Sequence, residues 1–310
     1  MKAMRYHSHG DSDVLVREEV DMPIPATGQV VIRVAGTSFN LLDVAMRLGL
    51  VREIMPVELP HTPNIDVSGV ITEIGAGVTD WKVGDKVVAL LPPTSPGAAA
   101  EYVAAPAAVL AAAPRSIELA DAAALPVAGL TAWQALFEHA ELTAGQTILI
   151  NGAGGGVGGY AVQLAKRTGA VVTATASPRS LDRVRDGGAD QIVDYTTTPV
   201  LEALAGQRFD VVLHLVRNSP EETAALLELV ADGGTLVTAT TAGPDDPPRQ
   251  VSVKQVFVRG DAADLARLVA GVDAGELTVN VADRLPLTDL ATVHDRAGAG
   301  RLPGKTILVP

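Results

Sequence analysis

One stretch constrains the fold of this chain more than any other. Thr147-Ile148-Leu149-Ile150-Asn151 reads as a buried strand, and it runs straight into Gly152-Ala153-Gly154-Gly155-Gly156-Val157-Gly158-Gly159. An apolar-periodic helix follows from Val157 to Thr168. Glycines at such a turn permit a tight reversal, let backbone N–H groups approach a pyrophosphate, and let helix and strand pack closely. The helix N-terminus adds partial positive charge. Two registers fit the dinucleotide pattern: Gly154-x-Gly156-x-x-Gly159 and Gly152-x-x-Gly155-x-x-Gly158. The bland alternative is a flexible loop without a ligand. The strand before and the helix after favour the dinucleotide, with Gly152, Gly154, Gly155, Gly156, Val157 and Gly158 as candidate contacts.

The nucleotide can be read from the next strand. An NAD site usually carries Asp or Glu about 20 residues on, at the end of the second strand. Here that strand, Val171 to Thr175, is followed by Ala176-Ser177-Pro178-Arg179-Ser180, with no carboxylate. Ser177, Arg179 and Arg183 suit a 2′-phosphate, because a hydroxyl and guanidinium groups match a dianion. NADPH is therefore favoured over NADH. The alternative is a helix N-cap at Ser177 or Ser180 with solvated arginines.

Around this motif the chain changes period. The first third shows short β-branched runs (Val14–Val20, Gln29–Ala35, Gly69–Gly75, Lys86–Leu91) split by Gly and Pro turns, which predicts a small β-barrel-like domain. The middle alternates. Helical spacing covers Asp121–His139, Ser180–Asp186 and Pro220–Ala231. Strands are expected at Gln191–Val193, Phe209–Val216 and Thr235–Thr240, giving a doubly wound parallel sheet. The tail predicts a helix over Asp261–Asp273, then extended pieces at Leu277–Val281 and Lys305–Val309. A length of 310 residues suits about two domains.

Composition narrows the function classes. The formal charge of −12 argues against a nucleic-acid partner. The absence of cysteine excludes disulfides, thiolate nucleophiles and Cys-rich zinc sites, and it fits a cytoplasmic location. No 18-residue apolar span exists and the N-terminus is polar, so neither a membrane helix nor a signal peptide is expected. The six histidines show no ligand spacing beyond His7-x-His9, which reads as a solvated turn, and His61 reads as a surface or supporting residue.

Several further pieces carry a resemblance. They are Ser38-Phe39-Asn40-Leu41-Leu42-Asp43, Pro63-Asn64-Ile65-Asp66-Val67-Ser68-Gly69, Val83-Gly84-Asp85-Lys86-Val87 and Ala99-Ala100-Glu101-Tyr102-Val103. Leu125-Pro126-Val127-Ala128-Gly129-Leu130-Thr131-Ala132-Trp133, Gly187-Gly188-Ala189-Asp190 and Gly304-Lys305-Thr306-Ile307-Leu308-Val309 complete the set. In this order, with the glycine turn between them, the chain resembles the zinc-free quinone oxidoreductase (zeta-crystallin-like) branch of the medium-chain dehydrogenases/reductases. The resemblance implies an α/β fold, a Rossmann doubly wound parallel sheet plus a GroES-like β-barrel domain. It places residues 1–115 and 277–310 in the GroES-like domain and 116–276 in the NADP-binding domain. It implies a homodimer and a small-molecule substrate: hydride passes from NADPH to a quinone or to the activated C=C bond of an α,β-unsaturated carbonyl. An enoyl reductase tailoring a polyketide-like metabolite, or a non-catalytic nucleotide-binding redox sensor, is the alternative.

The same resemblance suggests site residues. Asn40 and Asp43 would line the substrate side, with Asn40 hydrogen-bonding a carbonyl or the nicotinamide carboxamide, unless it is a turn cap, and Asp43 ordering the loop. A tyrosine frequent two positions after that Asp in quinone reductases is Ala45 here. Thr131 resembles a threonine near the nicotinamide and phosphates, Tyr195 a residue near the 2′-phosphate or adenine; a helix-interior Thr and simple packing are the alternatives. His214 stands where many relatives have Asp, at a strand end where cofactors lie. Ala239 and Thr240 end the next strand near the nicotinamide, and Val256-Phe257-Val258 resembles a strand whose backbone meets the carboxamide, with aliphatic packing as the alternative. Zinc ligation is not expected, since Ile65-Asp66 stands where a zinc-binding His would precede an acid.

Overall fold

The computed structural model describes residues 1–310, which divide into two units, Met1–Val127 with Arg259–Pro310 and Ala128–Val258. The first unit opens with β1 (Lys2–Arg5) and β2 (Val16–Glu19), an antiparallel pair. Then come β3 (Gln29–Ser38), α1 (Leu41–Arg47), β4 (Asp66–Ile74), β5 (Lys86–Leu90), β6 (Tyr102–Pro106) and β7 (Leu110–Ala112). β3 is the hub. Its Val30, Val31 and Ile32 are fully buried, and it pairs antiparallel with both β4 and β6. Register shifts at Val31/Ile32 and Val34/Gly36 bend it, as an antiparallel sheet must bend to curl toward a barrel.

The second unit is the parallel sheet. α2 (Pro126–Trp133) crosses into it and continues as a π-helical segment, Gln134–His139. β8 (Thr147–Asn151), α3 (Gly156–Thr168), β9 (Val171–Ala176), α4 (Leu181–Asp186), β10 (Gln191–Asp194), α5 (Val200–Ala203), β11 (Phe209–His214), α6 (Pro220–Ala225), β12 (Val230–Thr238) and β13 (Ser252–Gln255) follow. The strand order is β10-β9-β8-β11-β12-β13, all parallel, so the direction of winding reverses between β8 and β11. Ligands of such sheets bind at the carboxyl ends of the strands beside that reversal. Ile148, Leu149 and Ile150 are fully buried, as expected for a strand covered by helices on both faces.

The chain then returns to the first unit with α7 (Ala262–Asp273), β14 (Asp283–Pro286), α8 (Leu290–Gly298) and β15 (Thr306–Val309). β15 pairs parallel with β14 and antiparallel with β3, closing the larger sheet in the order β14-β15-β3-β4-β5-β7. Its Leu308 joins Met4, Tyr6, Phe39, Leu290 and Val293 in one core cluster.

Several sequence expectations are corrected. The divisions fall at 127/128 and 258/259 rather than 115/116 and 276/277. The reason is α7: it packs on β7, and its Asp273 carboxylate accepts the N–H groups of Arg115 (2.7 Å) and Ser116 (2.9 Å). Asp121–His139 is not one helix. A 3₁₀ turn at Ala120–Ala124 precedes Pro126, whose ring starts a new helix but cannot continue an old one. α6 stops at Ala225, and β12 already begins at Val230. Leu277–Val281 holds no strand; the Leu277 N–H bonds to the Gly271 carbonyl and finishes α7. β13 ends at Gln255, so Val256-Phe257-Val258 lies just past it. No helix of the chain is long and apolar enough to cross a membrane.

Candidate functional site

The glycine turn sits at the carboxyl end of β8. Gly152 has φ +99°, a conformation that favours glycine, and Gly155 is the N-cap of α3. A Cβ on Gly154 would lie 2.4 Å from Ser180 Oγ, and one on Gly158 only 2.3 Å from the Gly152 carbonyl oxygen. Gly159 faces open space. Of the two registers, the one ending at Gly158 therefore carries the close packing. The first amides of α3, at Gly156, Val157 and Gly158, lack intrahelical acceptors by position, which is the arrangement an anion would need.

The neighbouring strand end carries the residues that the sequence assigned to the 2′-phosphate. Ser177 is buried just past β9; its N–H donates to Ser180 Oγ (3.2 Å), so the two serines form one tight turn against Gly154. Arg179 is exposed, whereas Arg183 is half-buried and donates from Nη2 to the Gly154 carbonyl. Arg183 therefore braces the turn itself. The one carboxylate at this edge, Asp194, pairs in register with Ala176. It is committed to a local turn, accepting from the Thr196 N–H (2.9 Å) and hydroxyl (2.6 Å). Tyr195, beside it, is half exposed.

The other candidates of this unit are more scattered. His214 ends β11 but is fully buried, with Nδ1 3.0 Å from Asn151 and Nε2 3.0 Å from Asn218. Both ring nitrogens are in use, so the ring itself has no valence left for a ligand. Burial pushes its pKa down. Ala239 and exposed Thr240 lie just past β12, and Thr240 donates to the Val216 carbonyl (2.8 Å). Thr131 is buried within α2, and Phe257 is exposed beyond β13.

In the first unit, Asn40 and Asp43 belong to a buried polar cluster that the sequence left unrecognised. Asn40 is the N-cap residue of α1, but its side chain is used elsewhere: Nδ2 donates to Asp66 Oδ2 (2.9 Å), and Oδ1 accepts from Lys305 Nζ (2.7 Å). Asp66 is fully buried and also takes Lys305 Nζ (3.1 Å), the Ser38 hydroxyl and, at Oδ1, the Val127 N–H (2.7 Å). Asp43 accepts the N–H groups of Asn40 (2.8 Å) and Asn64 (3.2 Å), tying α1 to the segment before β4. Burial pushes its carboxyl up to about 7. The sequence signal for Asp66 and Lys305 was weak: two charged residues at the edges of apolar strands, 239 positions apart.

His61 is not a surface residue. It is buried, stacks edge-on to Tyr6 with ring centroids 5.5 Å apart, and is held by burial at about 4. His294, buried beside Arg47, is held at about 3. His7 instead pairs with Glu18 (3.1 Å) and His9 with the Arg47 carbonyl (3.2 Å), so the two diverge. These groups set an acid response. Between about pH 4 and 6.5 the unfolded chain binds protons at His61 and His294 that the folded chain refuses, and buried His214 adds in the same direction, whereas Asp43 binds one only when folded. The difference is at least one proton in favour of unfolding. Stability is expected to fall by at least about 1.4 kcal/mol per unit of acidification across this window. Urea unfolding at pH 4.5 and 6.5 measures it; a flat profile refutes the assignment.

A catalytic zinc does not fit these residues. The chain has no thiolate, both oxygens of Asp66 are taken by other donors, and no three His, Cys, Asp or Glu side chains converge.

Comparison with known proteins agrees with this architecture. Residues 26–115 match the family model described as alcohol dehydrogenase GroES-like domain, and residues 187–308 match the one described as zinc-binding dehydrogenase. The chain is 32% identical over 326 residues to a chloroplast envelope quinone oxidoreductase homolog of Arabidopsis thaliana, covering 100% of this chain and 98% of the relative. It is also 32% identical to an NADPH-dependent alkenal/one oxidoreductase of the same plant, covering 100% and 80%. The solved quinone oxidoreductase from Coxiella burnetii superposes with a TM-score of 0.90 at 27% identity, covering 100% of this chain and 99% of that one. With a GroES-like unit, a six-stranded doubly wound sheet and full-length relatives of this kind, the chain belongs to the medium-chain dehydrogenase/reductase family, in its quinone oxidoreductase branch.

Proposed function

We propose that this protein is an NADPH-dependent oxidoreductase that reduces a quinone, or the activated C=C bond of an α,β-unsaturated carbonyl, without zinc. The observation that carries the reading is the glycine turn whose adenosine end has arginines and a committed carboxylate. The coenzyme, when bound, supplies the hydride. The chain's own residues do the rest. The turn between Gly152 and Gly158 and the first amides of α3 receive the pyrophosphate, while Ser177 and Arg179 receive the 2′-phosphate.

Asn40 favours the quinone. Its amide donates to Asp66, and its second hydrogen faces the Ser38 carbonyl at 3.5 Å, so only an Oδ1 lone pair is left to offer. That group accepts from a carboxamide or a nascent hydroxyl; it does not polarise a carbonyl. An enone needs such polarisation, whereas a quinone draws its protons from solvent. A homodimer is part of the same reading: β13 is an edge strand paired only with β12, and Phe257 beyond it is 64% exposed. A cytoplasmic location is also part of it, resting on a chain without cysteine.

Fluorescence titration with NADPH and NADH, followed by a 1,4-quinone and a simple enone, tests the proposal. Tight NADPH binding with turnover of the quinone supports it. Binding without turnover of either acceptor points to a sensor, and no binding refutes the reading. Arg179→Ala is expected to weaken NADPH about tenfold and leave NADH unchanged, the loss of one charge-assisted contact. Arg183→Ala is expected to weaken both coenzymes, because its partner is the turn carbonyl.

A further inference from the structure

A chain of buried side chains runs beneath the glycine turn, across the carboxyl ends of three strands. The Gly152 N–H donates to Thr175 Oγ1 (2.9 Å), and the Thr175 hydroxyl donates to Asn151 Oδ1 (3.0 Å). Asn151 Nδ2 faces His214 Nδ1 at 3.0 Å, and His214 Nε2 faces Asn218 Oδ1 at 3.0 Å. With Asn151 Oδ1 already accepting, its Nδ2 must be the donor, so Nδ1 of His214 carries no proton and Nε2 carries one. Asn218 is fixed in turn: Thr223 Oγ1 donates to its side chain (2.6 Å) and Thr241 Oγ1 to its carbonyl (2.9 Å). Thr175, His214 and Thr223 are all fully buried or nearly so. From Gly152 to His214 each donor points the same way, through β9, β8 and β11 to Asn218 in the loop that opens α6, where Thr223 donates to the same oxygen from the other side.

We infer that His214 is a positioning residue: through Asn151 and Thr175 it holds the Gly152 amide, and through Asn218 the loop after β11, in the places that coenzyme binding requires. This rests on the coenzyme reading above. Only the neutral ring with its proton on Nε2 completes the chain. A proton added at Nδ1 meets the Asn151 N–H donors, so the amide must turn over and the link to Thr175 changes partner. Burial and the Asn218 contact oppose one another at the ring, and the one charge that reaches it is that of Glu222.

The experiment compares wild type with His214→Leu and Asn151→Asp. Amide exchange of the 150–156 segment is followed without coenzyme, and KM for NADPH and kcat with a quinone are followed across pH. His214→Leu is expected to speed exchange at Gly152 and raise KM about tenfold with kcat within about twofold, whereas general loosening lowers kcat and the active fraction instead. Asn151→Asp offers Nδ1 a carboxylate, so it favours the doubly protonated ring. Its KM is expected to rise as pH increases, whereas wild-type KM rises only on acidification. That reversal of sign keeps the test decisive even if His214→Leu fails to fold. Unchanged Gly152 exchange together with a wild-type pH profile in Asn151→Asp overturns the inference. Failure of wild type to bind NADPH overturns the coenzyme reading, while the exchange comparison still judges the link from His214 to Gly152.

Discussion

Gly158→Ala is expected to weaken NADPH binding by about a hundredfold or more, while Gly159→Ala, one residue on, leaves it intact. The added methyl at 158 would meet the Gly152 carbonyl oxygen at 2.3 Å and Ala153 Cα at 2.5 Å. These are backbone atoms, so no side chain can rotate out of the way and the turn itself must shift. A displacement near 1 Å at a binding or reacting centre costs about a hundredfold, and the overpacking takes about 1–3 kcal/mol of stability. At 159 the methyl enters open space on a helix, where Ala is favoured over Gly by up to about 1 kcal/mol. Coenzyme titration and thermal melts of the two variants form a matched pair. Equal affinity in both would mean that the turn is not the coenzyme site.

The largest stability loss is expected from Lys305→Met. It leaves the Asp66 carboxylate, fully buried, without its ammonium and strips the Asn40 amide oxygen of its donor. Removing one partner of a buried pair typically costs about 3–5 kcal/mol, because the remaining charge is stranded. The double variant Lys305→Met with Asp66→Asn is expected to recover part of that loss, since a neutral amide is cheaper to bury than an orphan anion. Denaturant unfolding of the set reads this directly. A single variant within about 1 kcal/mol of wild type would show that the Lys305–Asp66 pair contributes nothing.

What the sequence made legible was local. Strand, glycines and helix are contiguous, so the turn was visible, as was the missing acid after β9. What it hid was made by distant partners. Asn40 sits in a motif that suggests a substrate ligand, yet its orientation is dictated by Lys305 and Asp66. His214 looked like a cofactor contact because it ends a strand; its ring is in fact spent on Asn151 and Asn218. Asp194 escaped notice because only strand pairing brings it beside Ala176. Helix α8 does carry an apolar stripe, Leu290, Val293 and Ala297 at helical spacing, but it is short and closes on Gly298, and its packing against Tyr6 and Leu308 comes from residues far away in the chain. The same priority of tertiary context over propensity broke Asp121–His139 into three pieces.

The 239-residue gap between Asp66 and Lys305 has a consequence for biosynthesis. At about 5–20 residues per second, roughly 10–50 s separate the emergence of the anion from that of its ammonium. During that interval the parallel sheet, complete by Gln255, has every strand it needs, while β3 still lacks its neighbour β15. The inserted unit is thus free to mature on the ribosome ahead of the unit that surrounds it. The nascent first unit meanwhile holds an open sheet edge and an uncompensated carboxylate, and this is the stage at which a chaperone would find the most to protect.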